Sequence, residues 1–178
     1  MKKYQRNALE CLVIVFAAET ILLIQQNNWL ESSFLYSLII FICWLKTVWF
    51  VYETSLNLKE ATRKHIAYHR FLMIIGINMI QIVFSFALDF YLLLKVDITC
   101  FNGIDAKFSE AELLFECFYL SALNFSYFGY GDVTPANIPA KLVTLTGILL
   151  GFMTVIFILS DFVTLKESIS AMDNQKKE

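Results

Sequence analysis

Four long apolar runs decide what this chain can fold into. They lie at residues 8–24, 34–52, 71–94 and 142–163. A helix needs about 20 apolar residues to cross a bilayer core. No water is present there to satisfy a backbone, so each crossing must be a helix or belong to a closed barrel. Continuous apolar runs of this length, without strand-like alternation, predict helices. A hydrophobic fraction of 58% and a mean hydropathy of +0.61 do not fit a soluble domain. Net charge is −2 and no basic block is large enough for a nucleic-acid footprint, so the lipid bilayer, not nucleic acid, is the expected partner.

The first run follows Lys2, Lys3 and Arg6, as a signal peptide would, but Ala17-Ala18 is a poor cleavage site. It is expected to be a retained crossing, slightly short at 17 residues. The second run gathers Trp44, Trp49, Phe50 and Tyr52 near its end, as helices do at a membrane–water interface. Lys46 lies within two turns of that end and is expected to snorkel to the interface. A voltage sensor needs several such charges along one helix, and this helix has one. Residues 53–70 are charged and lack Gly and Pro, which predicts a helix along the cytoplasmic membrane surface. Within it His65 and His69 share a face at a metal-binding spacing, but no third ligand is near; a pH-responsive pair is the other reading. The third run places Asn78, Gln81, Ser85 and Asp89 on one stripe, which predicts the face turned toward neighbouring helices.

After a loop at 95–108, Ser109 and Glu112 form a capping-box pattern that opens a helix ending near Asn124. About 16 residues are too few to cross a bilayer comfortably. Ser126-Tyr127-Phe128-Gly129-Tyr130-Gly131-Asp132 follows at once, with Pro135 beyond it. A half-crossing helix followed by irregular backbone is tolerated at membrane depth only when buried in protein or lining a cavity. The two glycines flank one residue, so the backbone can take positive φ without a Cβ clash. A strand twisted in that way turns successive carbonyl oxygens in one direction. Four chains around an axis would stack those oxygens into rings that replace the water around a bare cation. The negative ends of four short helices would favour the same cation. A surface turn is the plainer reading of Gly-Tyr-Gly-Asp alone. In the last run Gly147 and Gly151 form a GxxxG pair, a common mark of close helix packing in membranes.

The segment resembles the TVGYGD filter of tetrameric potassium channels, with 127–131 where that family has T-V-G-Y-G and Ser126 and Asp132 flanking. The resemblance covers 71–163, about half the chain, as outer helix, pore helix, filter and inner helix. It implies a homotetramer holding K+ ions on the backbone carbonyls of Tyr127, Phe128, Gly129 and Tyr130, with no organic cofactor. It also implies a gating hinge at Gly151, 22 residues after Gly129, and pore lining by Phe152, Val155 and Leu159. Lys141 falls where the family often has a basic residue. Tyr127 replaces the filter threonine and Phe128 the valine, so the innermost site loses a short hydroxyl. Leu120 and Leu123 stand where many relatives have Trp and Glu, so Asp132 lacks one familiar partner.

The expected fold is an all-α membrane protein with four transmembrane helices, a re-entrant pore helix and a filter loop. Its parts are an N-terminal hairpin (1–52), a linker helix (53–70), the pore domain (71–163) and a tail (164–178). With four crossings both termini share a side. Ten Lys and Arg then lie on that side and three (Lys95, Lys107 and Lys141) on the other. By the positive-inside rule the termini are cytoplasmic, in a multi-pass protein of the cell membrane. Cys11, Cys43 and Cys117 suit small apolar positions, while Cys100 in the outer loop is either free or paired between subunits. No nucleophile–base pair, phosphate loop or zinc spacing points to an enzyme. Passive potassium conduction is the expected function. The alternatives are a weakly selective monovalent cation channel and a non-conducting accessory subunit that uses its glycines only for packing.

Overall fold

The computed structural model describes residues 15–16, 19–23, 25, 31–63, 68–105 and 107–175, the side chains of 57–72 and 160–175 excepted. Four helices make up most of it: α1 (Ser32–Arg63), α2 (Tyr68–Val96), α3 (Glu110–Phe125) and α4 (Ile138–Gln175). Among the described residues three stretches are long and apolar enough to cross a membrane: Ser32–Leu56, Met73–Val96 and Ile138–Leu159. The protein is thus an all-α membrane protein. The first expected crossing falls mostly outside the described residues, as do His65 and the side chain of His69. Of that crossing, Ile21 is buried and the Gln25 amide donates to the Lys95 carbonyl at the end of α2.

Each helix has a local cause. α1 meets no Gly or Pro and runs unbroken through residue 53, where the sequence pattern places the start of the linker. α3 starts at the capping box: the Ser109 side chain accepts from the Glu112 N–H, and the Glu112 carboxylate accepts from the Ser109 N–H at 2.7 Å. At the head of α4 the Asn137 side-chain oxygen accepts from the Ala140 N–H at 3.0 Å. Pro139 follows in the first turn, where a missing N–H is harmless. At 38 residues α4 is about 57 Å long, so it continues well past the bilayer core and takes in residues 164–175 of the expected tail.

The core lies where α3 wedges between α2 and α4. Ile82, Phe90 and Leu93 of α2 meet Cys117 and Leu120 of α3 and Val143 of α4, all buried. Phe90 stacks edge-on with Phe101 at 5.4 Å, fixing the outer loop to the helical core. α1 packs against α2 and α4.

The polar stripe of α2 is buried, as its spacing predicts. The Asn78 amide donates to the Thr54 hydroxyl at 2.8 Å across the α1–α2 seam. Lys46 corrects the sequence reading. It does not reach for the interface; its ammonium forms a 2.6 Å ion pair with Asp89, which is 2% exposed. The reason is electrostatic: a carboxylate buried at membrane depth demands a counter-charge, and the lysine one helix away supplies it.

The outer loop is more ordered than a plain connection. The Asp97 side chain accepts from the Thr99 N–H at 2.9 Å and so caps a 3-10 turn at Ile98–Cys100. Beyond it β1 (Phe101–Asn102) pairs antiparallel with β2 (Thr134–Pro135), Phe101 opposite Pro135 and Asn102 opposite Thr134. Cys100 is a free thiol buried beneath this pair, so it is not positioned to bridge subunits. It accepts from the Asn137 amide at 3.1 Å, and burial pushes its thiol above the ordinary range.

Candidate ion pathway

The site begins at the C-terminal end of α3. The Tyr127 N–H donates to the Asn124 carbonyl at 3.3 Å and the Phe128 N–H to the Leu123 carbonyl at 2.9 Å. Two such bonds, overlapping across a left-handed residue, make a Schellman cap. The left-handed residue is Tyr127, at φ 62°. Glycine is the usual occupant, because a Cβ there meets the following carbonyl. The N–H groups of Tyr127 and Phe128 are therefore held by the last turn of α3. The carbonyls of Leu123 and Asn124 are satisfied by them.

The Tyr127 side chain turns to α4. Its ring meets Phe152 edge-on, with centroids 6.5 Å apart. Its hydroxyl lies 3.2 Å from where a Cβ on Gly151 would be, and the Phe125 carbonyl lies 3.3 Å from the same point. Gly151 is thus the place where α4 approaches the end of α3 and Tyr127. Gly147, one turn away, meets Phe86 of α2, 3.1 Å from a would-be Cβ. The two glycines serve close packing on two different neighbours.

Further along, Phe128 and Tyr130 point the same way and stack at 6.2 Å with 27° between planes. Gly131 takes positive φ, at 79°, whereas Gly129 does not. The expected pair of left-handed positions therefore falls at Tyr127 and Gly131. The other end is tied to the outer loop. The Asp132 carboxylate accepts from the Tyr119 hydroxyl of α3 at 3.0 Å and from the Val133 N–H at 2.9 Å. The carbonyl of Asp132 abuts Gly103 (φ 88°) so closely that a Cβ on Gly103 would overlap it. The Ala136 N–H then donates to the Cys100 carbonyl at 2.8 Å.

Ser126 to Asp132 are all exposed in the single chain, Phe128 at 61% and Tyr130 at 72%. Phe152 and Leu159 lie open on α4, while Val155 is half-buried. Large apolar side chains thus stand open beside a segment held at both ends. No group of three or more His, Cys, Asp or Glu that could hold a metal occurs among the described residues.

Sequence reasoning missed Tyr119, which supplies Asp132 with the partner that Leu120 and Leu123 cannot. A phenol midway along the 16-residue helix α3, ahead of Asp132, was the available signal. The helical rotation that aims it was not.

A family model described as an ion channel matches residues 78–167, 90 of the 178 residues. The chain belongs to that ion channel family. No curated protein and no solved structure matches the chain. The matched stretch begins inside the buried stripe of α2 and takes in α3, the exposed segment and most of α4. The elements that converge at Tyr127 and Asp132 are therefore the channel domain itself, and α1 lies outside it.

Proposed function

We propose that four copies of this channel assemble around an axis and conduct potassium through the carbonyls of Tyr127, Phe128, Gly129 and Tyr130. The observation that carries this reading is a filter-like segment fixed at both ends and open along its length. Tyr127 caps the pore helix below, Asp132 is held by Tyr119 and Gly103 above, and 126–132 are exposed between. One chain offers a quarter of a ring, so the exposed face has its natural cover in further copies. Ser126 and Asp132 bound the filter. Phe152, Val155 and Leu159 line the inner path, with Gly151 as a hinge. K+ needs no other cofactor here, because stacked carbonyls substitute for its hydration shell. Both termini face the cytoplasm of a cell membrane by the distribution of Lys and Arg.

One observation favours a weakly selective monovalent cation channel as the second reading. The hydroxyl of Tyr127 lies against α4 at Gly151, so it adds no ligand where the filter threonine would. Reversal potentials in mixed potassium and sodium separate the two. A permeability ratio well above one supports the first, and a ratio near one the second. No ion flux from the purified protein in liposomes would sink both and leave the accessory subunit.

A further inference from the structure

We propose that Lys46 and Asp89 are positioning residues for the filter, through which α1 sets the state of the pore. The inference rests on the channel reading above. It begins with an oddity of placement. Lys46 belongs to a helix outside the matched channel domain, yet its ammonium is committed to the buried Asp89 at 2.6 Å and to the Ser85 carbonyl at 3.4 Å. Charges at membrane depth are rare, and those present pair with one another or with backbone carbonyls; Lys46 does both.

The same two turns of α2 make the contacts that seat the pore. The Val83 carbonyl accepts from the Ser121 hydroxyl of the pore helix at 2.7 Å, in a buried bond. Phe86 fills the notch at Gly147 of the inner helix. Residues 83–89 therefore join three elements: α1 through Asp89 and Ser85, the pore helix through Val83, and α4 through Phe86. Asp89 acts through its carboxylate and Ser85 through its carbonyl, while Val83 offers its carbonyl to Ser121 and Phe86 its ring to Gly147. A displacement of α1 that carries Lys46 along must drag α2 or break an ion pair in a low dielectric, where breaking it is costly. Dragging α2 moves the Ser121 acceptor, and five residues after Ser121 the pore helix ends at the cap that holds Tyr127.

Stability and coupling can be read apart. Replacing a buried ion pair by apolar side chains of similar size is often neutral or stabilising, whereas leaving one charge alone is not. The test uses the full chain in planar bilayers and measures single-channel open probability beside the melting temperature of the purified assembly. The double variant Lys46→Met with Asp89→Leu is expected to melt at or above wild type. Its open probability is expected to fall about fivefold or more, in the range of ordinary coupling between sites. Asp89→Glu keeps both charges and lengthens the link by one methylene. It is expected to assemble like wild type and to shift open probability in the same direction, which also covers a double variant that fails to assemble. Wild-type or raised open probability in whichever of these variants assembles overturns the coupling. Absence of conduction from the wild-type protein overturns the channel reading instead, and the inference falls with it.

Discussion

Tyr127 holds a left-handed φ that costs a non-glycine residue about 1–2 kcal/mol. Its ring on Phe152 and its two cap bonds offset that strain. A β-branched residue is worse placed there than tyrosine. Tyr127→Thr should therefore straighten this turn, and it brings a short hydroxyl back to the innermost site. The expected result is a higher potassium-over-sodium permeability ratio, read from reversal potentials; an unchanged ratio means that Tyr127 is not where selectivity is set. Asp132 gives a second prediction. Tyr119→Phe removes one hydrogen bond to the Asp132 carboxylate, at a position open to solvent. Currents should decay faster during sustained opening, with assembly unchanged. Decay at the wild-type rate would mean that Asp132 is held by the Val133 N–H and the loop alone.

Among the elements, α4 carries the gating prediction. Gly151→Ala places a methyl 3.2 Å from the Tyr127 hydroxyl and 3.3 Å from the Phe125 carbonyl. It also favours the straight helix by about 1 kcal/mol per chain. Open probability should fall, while Leu159→Ser should wet the inner path and raise it. If single-channel recording finds neither change, gating resides elsewhere than in α4. The outer loop carries a pH prediction. Hydrogen bonds from Thr99 hold the Asp97 carboxyl below its usual range, and the Lys95 ammonium does the same for Glu110. A carboxyl with a depressed value stabilises the fold above the ordinary carboxylate range, and that contribution goes as pH falls through the depressed value. Protection from hydrogen exchange at 97–110, relative to the intrinsic rate at each pH, should therefore fall in acid before protection in α2 does; uniform protection would contradict this. Much at this scale is legible in the sequence. The capping box at Ser109 and the burial of Asn78, Gln81, Ser85 and Asp89 follow from local spacing. Two-residue strands have no pattern to read, so the pairing of Phe101 with Pro135 is hidden. The link from Lys46 to Asp89 spans 43 residues, and each partner taken alone suggests a bland role. The cap at Tyr127 is hidden because its usual marker is glycine.

For the whole molecule, the apolar runs specify the membrane and the family match specifies an ion channel. The proposal of four copies and a potassium filter depends on the exposed segment between Ser126 and Asp132. The most direct test is ion flux through purified protein in liposomes, wild type beside Gly131→Ala. Gly131 holds φ 79°, where an added Cβ is strained whatever space surrounds it. The expected result is potassium flux from wild type, and none from a Gly131→Ala protein that elutes at the same tetrameric size. Equal flux from both proteins would contradict a pathway built on these carbonyls.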